Sequence, residues 1–450
     1  MNSEIKTYSY SNGEMQRVQV VRWDDWSQLD FWCPAFSPVS LDCFYDIYRN
    51  FLVPACPWIF GQMVMFRLPD SGCEALAGIL PEEGYISKKY GVVSDKLTIA
   101  TIMLQEGMKM VGEKPKFFSQ EAETLWRELE KKDCIRIVRG KLPMTQVIPV
   151  GNETGYLSGA GDASIKVNSS FFIMDAIDCA TIYDQIGTVL GLCVKDGVVH
   201  QPPLYDREAL LVDNEGRVSI RSVDVRELDI EIHGECYHHG ENTTIYTRPE
   251  KKKVGTGLWK LVIVGTKVVA VSRGRVDIPA SGFVMTVKAG DIKPGDEVIY
   301  HGLEHIQFGI QVGNSVIREG VKTQGFISRF YNIYHLEPVP FPPSLYPMDY
   351  EKARAARIAL GADKDGKPML FWAEGAAKFG YVSGEGSCGA SLSEMAEIAE
   401  DLGMVNGINL DGGGSAQILL NGKRSLMISD RKKEDHSEAE RLIPLGLVVR

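Results

Sequence analysis

With 450 residues the chain has room for two or three separately packed domains, and 44% hydrophobic against 24% charged residues is a globular composition. No run of eighteen apolar residues offers a membrane-spanning helix, so a membrane partner is not expected. A formal net charge of −10 disfavours nucleic acid, whose phosphate backbone is bound by a basic face.

In chain order, residues 18–23 alternate like a strand, and Ser40 followed by residues 41–52 and Pro54 reads as a short capped helix. The aromatics Trp23, Trp26, Phe31 and Trp32 suit core packing better than sugar stacking. After Ser119, residues Ala122, Leu125, Trp126 and Leu129 fall on one helical face, and residues 134–139 then read as a strand. From about residue 155 the chain turns strand-rich, with β-type runs at 259–264, 283–287 and 297–300. The five prolines between Pro338 and Pro347 mark a stiff connection.

Near the C-terminal end, Ser391 and Glu394 form a capping-box pattern. Leu392, Met395, Ala396, Ala399 and Leu402 follow as an apolar stripe, and Gly403 supplies the stop. Residues 405–410 read as a buried strand broken by Asp411-Gly412-Gly413-Gly414-Ser415. Residues 417–420 and Asn421-Gly422 then predict a type I′ hairpin. The fold expected from these elements is α+β. A strand-rich mixed-sheet domain flanked by helices spans 151–450, with a separate mixed N-terminal region over 1–150.

The nine cysteines are odd in number, scattered and without a CxxC pair. The first residues show no basic start followed by an apolar stretch. Reduced thiols and a cytoplasmic location are the expectation. Cys388, in a loop of Gly and Ser, has the setting that best suits exposure. His233, Cys236, His238 and His239 lie close together, but their spacing is not that of a zinc site, and a β-rich loop with satisfied histidines is the better reading.

The chemistry concentrates at residues 409–415. Consecutive glycines leave no side chains between the backbone and a bound group, so their N–H groups can converge on an anion. Asp411 adds an acid, base or metal ligand, and Ser415 a hydroxyl donor. No Gly-Lys-Ser/Thr follows, which excludes a nucleotide P-loop.

Ala356-Arg357-Ile358-Ala359-Leu360-Gly361, Asp365-Gly366, the strand at 369–372, the capped helix, Asn409-Leu410-Asp411-Gly412-Gly413-Gly414-Ser415 and Asn421-Gly422 occur in a succession that resembles the phosphodiester glycosidase family. Upstream, Asn168-Ser169-Ser170-Phe171-Phe172 is similar to the family's Asn-Gly-Gly-Phe-Phe, with serines in place of both glycines. Ile278-Pro279 through Val284, Gly313 through Gly320, and Glu440-Arg441 with the strand after it extend the likeness over about 155–450. Ala416 stands where a second Ser or Thr is usual.

The resemblance implies a hydrolase that cleaves between a sugar's anomeric carbon and a phosphodiester oxygen, with a carbohydrate phosphodiester as substrate. It implies Asp411 as the acid/base carboxylate and Arg357, planar and permanently charged, as a phosphate clamp. Asn168, Asn242, Glu385, Gly412, Gly413, Gly414 and Ser415 are candidates for substrate binding. Glycosidases normally use two carboxylates, and Asp162, Asp175 and Glu385 are candidates for the second. No cofactor is required, although a divalent cation near Asp411 is compatible. Two other readings fit the same residues: a non-catalytic carbohydrate- or polymer-binding module of a bacterial or phage surface assembly, and a metal-dependent phosphodiesterase with Asp411 as ligand.

Overall fold

The computed structural model describes residues 1–10, 13–33, 63–66, 76, 78–87, 91–93, 96–111, 114–132, 135–138, 157–173, 181, 183–184, 188–204, 207–248, 251–288, 291–324, 354–376, 386–431, 437–441 and 443–450. The helix expected over 41–52 and the proline segment at 338–347 lie outside these residues.

The largest sheet has seven strands in the order Asn2–Ser9, Met15–Arg22, Pro368–Ala373, Arg357–Asp363, Met404–Asn409, Ser315–Arg318 and Val321–Lys322. Every neighbouring pair is antiparallel. Its central strands are apolar on both sides because both faces are covered. Ile358, Leu360, Leu370, Trp372 and Ile408 belong to the main core. The alternate residues Ala359, Met369, Phe371 and Ala373 pack with Met395, Ile398 and Ala399 of the helix Leu392–Asp401. This is the period-two division of side chains that a strand imposes.

A second antiparallel sheet, in the order Leu29–Trp32, Gly446–Val449, Ile165–Asn168 and Ile418–Leu420, contributes Leu29, Phe31, Ile165, Val167, Leu447 and Ile418 to that main core. A five-stranded sheet adds Leu210, Val212, Phe308 and Ile310. Smaller sheets across 229–301 pack around Phe283, Met285 and Tyr300 in a second core, which Val194, Ala209 and Leu211 of the five-stranded sheet share.

Several local expectations hold. Ser119 caps the helix Gln120–Lys131, whose buried face is Ala122, Leu125, Trp126 and Leu129. Ser391 and Glu394 close both bonds of the capping box, and Gly403 stops that helix at φ +77°. Asn421 and Gly422 both have positive φ, and Leu420 and Lys423 exchange backbone bonds, which makes the hairpin type I′.

Two expectations need correction. The described residues are mostly β, in antiparallel sheets rather than the mixed sheet of an α+β domain, with one helix rather than several against the central sheet. The N-terminal region also does not stand wholly apart. Met15–Arg22 pairs with Pro368–Ala373, and Leu29–Trp32 pairs with Gly446–Val449. Trp23, Trp26 and Phe31 pack in the main core, with Trp26 and Phe31 stacked on Phe308. Further along the region, the helices Lys96–Gly107 and Gln120–Lys131 build a separate core.

Candidate active site

The strand Met404–Asn409, inside the central sheet, delivers Asp411 just past its C-terminal end, and the chain then turns through a short 3-10 segment at Gly413–Ser415. Four contacts fix the acid. Its N–H donates to the Ser169 carbonyl at 2.7 Å, and its carbonyl accepts from Asn168 Nδ2 at 2.7 Å. Its carboxylate accepts from the Gly412 N–H at 2.9 Å and from the Ser415 hydroxyl. Asn168 also accepts from the Gln417 N–H at 3.0 Å, so this buried amide ties both flanks of the loop to one strand. Asn168 is thus scaffold to the site.

Each glycine of the triplet has its own steric reason. A Cβ on Gly412 would sit 2.6 Å from the Ala356 carbonyl. Gly413 adopts φ +59°, in the left-handed region. A Cβ on Gly414 would collide with Asp430 and Arg441. Three of the N–H groups of this loop have partners inside the protein. Gly412 N–H donates to Asp411, Gly413 N–H to Ala356, and Ser415 N–H to Gly412. These donors shape the loop and hold the acid.

Asp411 is half-buried by its surface, yet protein atoms crowd its carboxyl, and that crowding governs its ionisation. Desolvation raises its pKa from 3.8 to about 6. The Ser415 hydroxyl, the Arg441 charge and the Gly412 N–H oppose the rise. Arg441 is placed by Asp430, which accepts from its Nε at 3.1 Å and its Nη2 at 2.7 Å. Its Nη1 reaches Ser415 Oγ at 3.4 Å. The sequence points to Arg441 only as part of a C-terminal likeness, and to Asp430 not at all, because it directly precedes Arg431-Lys432-Lys433-Glu434-Asp435, a charged run that reads as a solvated loop.

The paired register Ala359↔Asn409, continued past the bond from Leu410 N–H to Ile358, sets Arg357 on the strand beside Asp411. Arg357 is buried, and its Nε donates to the Ala390 carbonyl at 2.8 Å. Glu374 was also missed. It is 1% exposed and accepts two bonds of 2.7 Å from Arg17, one from Ser387 and one of 2.8 Å from the Met427 N–H. Its signal is an acid directly after a strand buried at every position, Pro368–Ala373.

Other candidates fall elsewhere. Asp162 is exposed, in the turn before Ile165, at the opposite end of the strand from Asn168. Asn242 is exposed and closes its own turn, accepting from His238 N–H at 2.7 Å and donating to the Cys236 carbonyl at 2.9 Å. Asp175 and Glu385 lie outside the described residues. Cys388 is buried rather than exposed, and burial raises its thiol pKa. The histidines have partners: His238 with Asp229 at 2.6 Å, His233 with Asp296 at 3.2 Å, and His239 accepting from Ile245 N–H at 3.0 Å.

Comparison with known proteins finds relatives for part of the chain. Over 81 residues the chain is 40% identical to the mouse and to the human N-acetylglucosamine-1-phosphodiester alpha-N-acetylglucosaminidase. Those alignments cover 18% of this chain and 14% of each relative, so the chain spans a small part of the curated relatives' length. The zebrafish N-acetylglucosamine-1-phosphodiester alpha-N-acetylglucosaminidase catalytic domain aligns at 15% identity over 66% of this chain and 67% of that one. Its TM-score of 0.30 is too low for the overlay to bear on the fold. The family model for phosphodiester glycosidase matches residues 242–450, and that part of the chain, with Asp411, Arg357 and Arg441 in it, is a phosphodiester glycosidase family domain.

Proposed function

We propose that this protein hydrolyses the bond between the anomeric carbon of a sugar and the oxygen of a phosphodiester, with Asp411 as the reacting carboxylate. One observation carries the reading: within the family-matched segment, just past the end of an interior strand, an aspartate is held at its backbone and poised to ionise at about pH 6. A phosphodiester leaves as a stable anion, so little proton donation is needed. The barrier lies in positive charge developing at the anomeric carbon, which an ionised, partly desolvated carboxylate offsets. Asp411 therefore acts in its charged form, and activity falls as pH drops through about 6. Arg357 supplies the permanent positive charge that draws the phosphodiester to this end of the strand. The reaction so written requires no cofactor. The sugar class suggested by the relatives' name, N-acetylglucosamine, is the first to test.

The kinetic test uses two variants and two substrates. Asp411→Asn keeps size and loses the charge, so kcat should fall roughly a hundredfold or more on both a sugar-1-phosphodiester and an uncharged aryl glycoside of that sugar. Arg357→Lys keeps the charge and loses the fork, so it should weaken phosphodiester binding by about 1–3 kcal/mol and leave the aryl glycoside nearly untouched. Full activity in folded Asp411→Asn would end the assignment.

A further inference from the structure

The third glycine of the loop has a function that lies outside the loop. Gly414 carries no Cβ, and the space is filled by the Asp430 carboxylate and the Arg441 guanidinium, which press directly on the backbone. The pair is joined at Arg441 Nε and Nη2, and Nη1 is turned toward Ser415 Oγ at 3.4 Å. Ser415 is fully buried, and its hydroxyl bonds to the Asp411 carboxylate. The geometry points to Asp430 and Arg441 as positioning residues, an ion pair seated on Gly414 that acts on Asp411 through Ser415 and sets the charge state of the reacting group. The inference rests on the reading of Asp411 given above.

Charged groups on the strands that neighbour the loop are disposed differently. Arg357, on the adjacent strand, donates from its Nε to Ala390. Lys166, on the strand that carries Asn168, sends its Nζ to the Ser158 carbonyl at 3.4 Å. Arg441 is the cation whose charge is felt at Asp411, and it opposes the effect of burial there. Asp430 has two opposite influences. It keeps Arg441 in place and also neutralises part of its charge.

The test is a titration of the full-length protein, labelled with ¹³C at aspartate Cγ, with the Asp411 signal identified by its loss in Asp411→Asn. The native midpoint is expected at about 6. Arg441→Gln should raise it by about one unit and Arg441→Lys should recover at least half of that shift. Asp430→Asn, nearly isosteric, should move it down by about half a unit, because Arg441 then acts with its full charge. Gly414→Ala should move it up by pushing the pair away. Opposite shifts from Arg441→Gln and Asp430→Asn are not produced by general loosening of the loop, and Asp430→Asn with Gly414→Ala keeps the test decisive should Arg441→Gln not fold. Midpoints that stay within about 0.2 units of native in these variants would overturn the proposal. The same midpoints read from the pH dependence of sugar-phosphodiester hydrolysis separate the two readings. Shifted titrations without hydrolysis remove only the proposed reaction. Hydrolysis with a midpoint near 6 that Arg441→Gln leaves in place removes only the role of the ion pair.

Discussion

Replacing Asp411 with Asn should stabilise the protein at alkaline pH while cutting turnover roughly a hundredfold or more. In the native fold this carboxyl ionises at about 6 against 3.8 when free, because burial penalises its charged form. The sign follows from linkage: a group whose pKa is raised on folding has its full stability below pH 3.8, and that stability is lost as pH rises through about 6. Roughly two units at about 1.4 kcal/mol each give an upper figure of about 3 kcal/mol. The partial exposure of Asp411 reduces this, and about 1–3 kcal/mol is the working range. Asn carries no charge at any pH, its oxygen can still accept from Gly412, and the Ser415 hydroxyl can turn to accept from its amide. The assay is urea unfolding of native and variant protein at pH 4 and pH 8. The variant should gain nothing at pH 4 and be the more stable protein at pH 8. A difference that does not change with pH, or a variant less stable at pH 8, would refute the claim that folding holds a costly ionised carboxylate here.

Trp26→Ala should cost about 3–5 kcal/mol in global stability, since Trp26 is buried against Trp23 and Phe308 and donates to the Gly366 carbonyl at 2.9 Å. An unchanged unfolding curve would show that the N-terminal strands are dispensable to the main core. Glu374→Gln should cost about 2–4 kcal/mol, because a buried acceptor of four donors is replaced by an amide that must offer one of its own atoms as a donor. A loss below about 0.5 kcal/mol would contradict its place as the tie between Met15–Arg22, Ser387 and Met427.

What the sequence disclosed was what neighbouring residues decide. Asn421-Gly422 favours the positive φ of a tight hairpin turn, Ser391 and Glu394 are three residues apart at one helix start, and Asp411 lies two residues past the end of its strand. What it concealed depends on partners far along the chain. Asn168 was read as a substrate contact and serves Asp411 across 243 positions as a brace. Gly414 was read as part of an anion cradle, yet its reason is a pair of side chains at 430 and 441. The pairing of Met15–Arg22 with Pro368–Ala373 has no local signal, because alternation shows that a strand exists and not which strand it meets. Glu374 has no local feature that marks its partners, because the groups that enclose it come from three separate segments.

The most direct test of the central claim is which bond breaks. Hydrolysis of an N-acetylglucosamine-1-phosphodiester in ¹⁸O-labelled water, with mass analysis of both products, reads this in a single experiment. Cleavage between carbon and oxygen at the anomeric centre places the label in the free sugar and leaves the phosphate product unlabelled, and this is the result expected of Asp411 acting at that carbon. Label in the phosphate and none in the sugar would mean attack at phosphorus and would contradict the account.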